Sequence, residues 1–242
     1  MALIPLSYFQ VTLMAMPIST SSPDGTQNRL LRAIPADELA QIFSISERVS
    51  LHAHQILHDY MMPIEYVYFV ESGLVSVAAK VGHDKFVEVW LVGSEGMVGA
   101  PVVLGAATEP KQRRTVQVDG RALRLRTDEF RKAMEGLPVF RKALYAYLNV
   151  VLLQASQSGA CNSTHELKHR LTRWLLVARS CLNADNIPLT HGVLAQLLGV
   201  RRASVTECLE HFESQGLINT KRGQITICNS YNLEEVSPSK TN

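Results

Sequence analysis

Three stretches of this sequence hold residues whose type and spacing could do chemistry. Arg201-Arg202-Ala203-Ser204-Val205-Thr206-Glu207 sets two guanidinium groups, two hydroxyls and a carboxylate within two turns of a helix. A guanidinium fork can grip O6 and N7 of a guanine, or a phosphate oxygen pair. His165-Glu166-Leu167-Lys168-His169 is an H-E-x-x-H string. On one helix face, two such histidines can hold zinc while the glutamate activates water. Arg113-Arg114-Thr115 places forks beside a hydroxyl, a set suited to phosphate. The four cysteines, Cys161, Cys181, Cys208 and Cys228, form no C-x-x-C pair and suit neither a zinc clamp nor an iron–sulfur cluster. They read as reduced thiols of a cytoplasmic protein.

The first stretch needs a scaffold, and its neighbours provide one. Leu194, Leu197 and Leu198 share an apolar face behind Thr190, a candidate N-cap. Gly199 allows a tight turn. A second helix then buries Val205, Leu209 and Phe212 and turns Arg201, Arg202, Ser204, Thr206 and Glu207 outward. This is the pattern of a helix-turn-helix whose second helix enters a DNA major groove. Ile218 to Thr220 and Gln224 to Ile227 flank Lys221-Arg222-Gly223, a hairpin with a basic tip that reads as a wing. Arg201, Thr190, Lys221 and Arg222 are the phosphate candidates, which fix register.

The length of 242 residues accommodates about two domains. Net charge is +2, so a nucleic-acid contact must be a local patch. No apolar run approaches the ~20 residues of a membrane span. Residues 1–18 are apolar but lack a basic start and contain Pro5 and Pro17, so a signal peptide is not expected; Met16 is a competing start. Ser19 to Gly25 reads as a mobile tether. Asn28 to Phe43 is predicted helical, with Pro35 restarting the helix. From Val49 to Arg126, short alternating runs predict many strands and a small jelly-roll; among them Val87, Val89 and Leu91 alternate with Phe86, Glu88 and Trp90.

Beyond Thr127 a short helix ends near Gly136, and Pro138 opens a long one. Phe140, Leu144, Leu148, Val151 and Ala155 recur every three or four residues. The length of this seam predicts a partner helix across a two-fold axis, with Leu152 and Leu153 facing the chain's own barrel. A break is expected at Gly159 to Ser163. A helix from Thr164 to about Leu182 follows, opened by a Ser163–Glu166 capping box.

The order of parts resembles the Crp/Fnr family of bacterial transcription regulators over residues 28–230. The matching residues are Tyr68-Phe69-Val70-Glu71-Ser72-Gly73, then Gly93-Ser94-Glu95-Gly96-Met97-Val98-Gly99, then Leu189 to Leu217. The resemblance implies an α+β chain: a flexible segment 1–27, a β-roll sensor 28–137, a long dimerisation helix and hinge 138–163, and a winged helix-turn-helix 164–242. It implies a homodimer that binds a palindromic duplex operator and answers a signal at the roll, with RNA polymerase as a further partner. Such a chain is a regulator, with no catalytic residues, no metal and no resident cofactor.

In the family's nucleotide pocket a Gly-Glu pair is followed by Arg-Ser or Arg-Thr. Gly93 and Gly99 lie in the matching turn, and Arg114-Thr115 matches the second pair, but Ala100 stands where the Glu belongs. A missing acceptor for a ribose hydroxyl is worth about 1–3 kcal/mol, so tight cyclic AMP binding is not expected and the effector stays open. In the recognition helix Arg202 aligns with the family's Arg that reads a guanine, while Ala203 replaces the family's Glu and Glu207 its second Arg, which implies a different operator. The alternative, a zinc protease built on His165, Glu166 and His169, needs a third ligand from Asp185, His191 or Glu207.

Overall fold

The structure is a computed structural model that describes residues 25–83, 85–106 and 109–236. The readings for residues 1–18, for Met16 and for nearly all of the tether fall outside these residues. At its described end the 1–27 segment is already held. Thr26 is buried, and the Gln27 amide donates to Glu71 at 3.3 Å.

Two long strands carry the first half of the chain. β3 (Tyr66–Val81) and β6 (Gln112–Arg126) run antiparallel along their whole length. Across Gly73, β3 stays one strand with a kink. Gly73 takes a left-handed φ of +91°, and a Cβ on Gly120 would sit 1.9 Å from the Ser72 carbonyl. Only glycine lets the two backbones approach this closely, and the kink curls the sheet into a roll. β1 (Glu47–Leu51) and β2 (Ile56–His58) pair with β6; β4 (Lys85–Val92) and β5 (Met97–Val98) pair with β3.

Helices close the open side of the roll. The predicted 28–43 helix is shorter than read: a 3₁₀ turn spans Leu31–Ala33, and α1 (Ala36–Ser44) starts after Pro35, which stands at the N-cap. Asn28 is fully buried; its amide donates to the carbonyls of Val70 and Gly96 at 2.8 Å each and stitches the chain's start to β3. α2 (Ala100–Val103) and α3 (Thr127–Gly136) precede α4 (Pro138–Thr164), the long helix. Phe69 of β3, Phe130 of α3 and Phe140 of α4 meet with ring centroids 5.8–6.3 Å apart. A remote group caps α4: the buried Glu38 carboxylate accepts from the amides of Val139 at 3.1 Å and Phe140 at 2.6 Å. It satisfies two otherwise orphaned donors and complements the helix dipole.

Two readings of α4 require correction. Phe140, Leu144, Leu148 and Val151 are buried against Phe69, Leu123 and Leu125 of the chain's own roll, and Ala155 is half-buried. An apolar stripe of helical period must be covered, but the period does not name the partner; here the roll covers it. Leu152, assigned to the barrel, is instead 64% exposed. Nor does the helix break at Gly159: it continues to Thr164, and the chain turns at His165 and Glu166.

The second half is smaller. α5 (Leu167–Leu182) leads to β7 (Asn186–Ile187), α6 (His191–Leu198), α7 (Arg202–Ser214), the hairpin β8 (Ile218–Lys221) with β9 (Gln224–Ile227), and α8 (Ser230–Glu235). One apolar cluster joins Leu171, Leu175, Val205, Leu209 and Phe212, and it extends to Leu74 and Leu91 of the roll.

Because Leu144 is fully buried within its own chain, Leu144→Ala is expected to lower the unfolding free energy by about 2–5 kcal/mol in urea denaturation. Unaltered stability with loss of self-association would return the stripe to an intersubunit seam.

Candidate nucleic-acid interface and sensor roll

The helix-turn-helix forms where the sequence places it. Thr190 caps α6, its hydroxyl accepting from the Val193 amide at 3.3 Å. Gly199 ends the helix at a left-handed φ of +69°, and α7 begins two residues later. Val205, Leu209 and Phe212 are fully buried on the inner side of α7. Arg201, Arg202, Ala203 and Glu207 are exposed, and Ser204 is half-buried. Arg201 stands at the N-cap without capping, as expected of a side chain with no acceptor. Thr206 is occupied: its hydroxyl lies 3.0 Å from His191 Nδ1 and ties α7 to the start of α6.

The wing is a two-stranded hairpin turned at Gly223 (φ +73°), with Lys221 and Arg222 exposed at its tip. It is fixed to the reading helix. The Glu213 carboxylate of α7 accepts from the Thr220 amide at 2.7 Å and the Thr220 hydroxyl at 2.8 Å, bonds that hold its pKa below the usual range. β7 closes the sheet, pairing Asn186 with Thr226 and Ile187 with Ile225.

The H-E-x-x-H string is not on one helix. His165 terminates α4 in extended backbone, Glu166 is the N-cap of α5, and only Leu167, Lys168 and His169 are helical. Ser163 donates back to the Ala160 carbonyl at 2.9 Å, so no capping box forms. The rings of His165 and His169 meet edge to face at 5.9 Å. Among the described residues no three His, Cys, Asp or Glu converge on a metal-holding position. The zinc-protease reading fails on this geometry.

In the roll, strand alternation separates the expected effector residues. Arg114 points to the interior and is 1% exposed; its guanidinium donates to the Gln112 carbonyl at 3.1 Å and the Gln112 side chain at 3.0 Å. The surface charge that its basic neighbours suggest is therefore ruled out. Burial without a carboxylate partner among the described residues pulls Arg114 down to about 10. Beside it, burial and then the Arg114 charge press His58 down to about 4. Thr115 faces the opposite way. It lines a cavity of about 470 Å³ between the roll and the reader, with Ser76, Gln117 and Glu88 from the sheet and Val193, Leu197 and Val200 from the helix-turn-helix. Gly99 takes a left-handed φ of +119° against Val67, and Ala100 is buried at the start of α2. Gly93 is pressed against the reader: a Cβ there would fall 2.3 Å from the Cys181 carbonyl of α5.

The joint between roll and reader has its own residues, and nothing in the local sequence marks them. Glu88, read as the polar side of an alternating strand, is only 7% exposed and accepts a hydrogen bond from the Trp174 indole of α5. Glu95 accepts from the Gly93 amide at 2.9 Å and from the Cys181 thiol at 3.5 Å. Lys85 donates to the Gly199 carbonyl at 3.2 Å. The four cysteines are free thiols.

Residues 169–236 match the model of the Crp-like helix-turn-helix domain. No curated protein matches the chain by sequence. Solved structures of the same fold include FixK2 from Bradyrhizobium japonicum, at 17% identity and a TM-score of 0.69 over 81% of this chain and 100% of that one. The c-di-GMP responsive global regulator CLP of Xanthomonas campestris aligns at 16% identity with a TM-score of 0.66, over 80% of this chain and 99% of its own. A Crp/Fnr-family transcriptional regulator of Thermus thermophilus, TTHA1359, aligns at 24% identity with a TM-score of 0.65, over 81% and 100%. The C-terminal part of the chain thus carries a Crp-like helix-turn-helix domain, and the chain shares the fold of solved structures that include Crp/Fnr-family transcriptional regulators.

Proposed function

We propose that the chain acts as a cytoplasmic homodimer that reads a palindromic operator and is controlled by a signal at the roll, residues 28–137 sensing and 164–236 reading. The observation that carries this reading is the two-sided form of α7. Its inner side is wholly buried, while Arg201, Arg202 and Glu207 project freely beside a wing with Lys221 and Arg222 at its tip. Arg202 reads a base edge in the major groove; Arg201, Lys221 and Arg222 hold phosphates; Ser204 and Glu207 sit at the edge of the contact. Thr206 and Thr190 serve chiefly to position the two helices, since each already has a partner.

The corrected geometry of α4 supports the dimer better than the predicted seam does. Tyr145, Asn149, Leu152, Ser156 and Gly159 recur every three or four residues and are all exposed, with Tyr145 52% and Leu152 64% exposed. An exposed stripe at that spacing fits a two-fold helix pair. Two recognition helices then meet half-sites about one helical turn apart. Bound there, the dimer acts on RNA polymerase, by recruitment or by obstruction. Free thiols accord with a reducing compartment. Ala100 in place of a pocket acceptor, with Thr115 turned away from Arg114, supports an effector other than cyclic AMP.

Selection of bound sequences from a random duplex pool, with and without cyclic nucleotides, tests this reading. A palindromic motif is expected without added nucleotide; no motif in either arm refutes operator binding. On the selected site, Arg202→Ala should cost about 1–3 kcal/mol of specific affinity and much less on unrelated duplex. Equal losses on both DNAs would remove Arg202 from base reading. Leu152→Asp should convert the dimer to monomers in sedimentation while leaving the fold intact, and a variant that stays dimeric would move the interface off α4.

A further inference from the structure

The surface that joins the roll to the reader is unlike an ordinary domain contact, because two carboxyl groups are buried in it. Glu88 of β4 receives the Trp174 indole N–H, and Glu95 receives the Cys181 thiol. Neither forms an ion pair among the described residues, and Glu95 Oε2 has no hydrogen-bond partner. The rest of the contact is close and apolar. Leu74 and Leu91 share a cluster with Trp174, Leu175 and Leu197, and α5 presses on Gly93 with no room for a side chain. A cavity of about 470 Å³ opens beside Glu88, giving this carboxyl a route for protons that the apolar packing denies to its surroundings.

We propose that Glu88 and Trp174 form a proton-dependent latch between sensor and reader, closed when Glu88 carries a proton and released when it is ionised. The neutral carboxyl accepts the indole N–H through its carbonyl oxygen and suits the dry contact. The carboxylate must give up its hydration to stay there. The groups that face Glu88 are Arg170, Arg173 and the Cys181 thiol of α5, Cys161 of α4, Lys85 on its own strand, and Arg113 and His54 across the cavity. Of these, Arg173 opposes the burial penalty electrostatically, as does the indole bond, but burial dominates and pushes Glu88 from 4.5 up to about 7. Arg170 is engaged elsewhere, with Asn162 at 3.0 Å and the Leu198 carbonyl at 2.5 Å. Arg113 is held by Asp59 at 2.8 Å and stacks on Phe86.

The direction follows from linkage. A carboxyl raised in the closed state binds its proton more tightly there than when open, so closure is favoured fully below about 4.5 and loses this support as pH rises through about 7. The opening constant should rise roughly tenfold per pH unit within that window and level off above it. The reader's aim would follow pH in the range where cytoplasmic acidity varies.

The latch rests on the fold and requires no DNA, so its test is separate from that of operator binding. Cys181 is buried at the contact and becomes accessible when the reader lifts. Full-length chain is labelled with a maleimide at pH 5, 6, 7 and 8. Cys181 modification is quantified by peptide mass spectrometry and divided by the rate in urea-unfolded chain at the same pH. The expected result is a rise of about tenfold per unit from pH 5 toward 7 and a plateau at 8. Glu88→Gln, which keeps the acceptor and removes the charge, should flatten the profile at the low-pH value, while Glu95→Gln should keep the rise. A rise that persists in Glu88→Gln, one that vanishes in Glu95→Gln, or a flat profile in the unmodified chain overturns the latch. Should Glu88→Gln fold poorly, Trp174→Phe keeps the ring and loses the donor. It should move the plateau to higher pH, and an unshifted profile overturns the proposal as well.

Discussion

Everything in this molecule hangs on the burial of one side of α4. A helix of 27 residues extends for about 40 Å, long enough to run from the roll to the reader. Its first half is fixed by the Phe69–Phe130–Phe140 cluster and by Glu38, which supplies the cap that the helix's own sequence lacks. Its second half buries Ser158 and Cys161 beside α5. The inner stripe is therefore spent on the chain's own core. The opposite side, with Tyr145 and Leu152 exposed, is the side on which the proposed dimer rests.

The contact between roll and reader obeys a different constraint, that of close approach. Gly93 meets the Cys181 carbonyl, and Gly199 lies over Val87, with φ +69° at the latter glycine. A β-carbon at Gly93 would collide with backbone, which cannot yield as a flexible side chain can. Around these points the interface is filled by leucines, yet it keeps Glu88 and Glu95. An isosteric apolar pair would bury at lower cost, since a desolvated carboxyl offsets much of what its hydrogen bond contributes. Through them the proposed latch makes the strength of the joint depend on pH, which a purely apolar joint would lack.

What was legible in the sequence was local. Thr190, Gly199 and the 205–209–212 spacing fix helix, turn and helix through caps and backbone conformation that neighbours alone determine, and the wing follows from Gly223 between two short alternating runs. What was not legible depended on distance. The 140–144–148–151 stripe had to be buried, but its covering surface is assembled from β6 and from β3, the latter some seventy positions earlier, and heptad-like spacing is common to both kinds of partner. The H-E-x-x-H string failed for a related reason: helicity was inferred for residues 164–182, and α4 instead runs on to Thr164, leaving His165 and Glu166 extended. Glu88 gave no signal at all, because an acidic residue between two valines is the ordinary mark of a solvated strand face.

The reader divides its surfaces in a way that suits control from a distance. α6 packs toward β4, and its end, Gly199, is held by Lys85; α7 is tied to α6 through His191 and Thr206 and to the wing through Glu213 and Thr220. On the outer side of α7, Arg201, Arg202 and Glu207 are exposed, and Thr206 is the residue there that takes part in these ties. Movement of the roll against α5 and α6 must therefore carry α7 and the wing as one body. It can change where Arg202 points without disturbing the packing that presents it. Under the proposed function, a signal received in the roll need only alter the fit at β4, and the residues proposed to touch DNA need no contact with an effector.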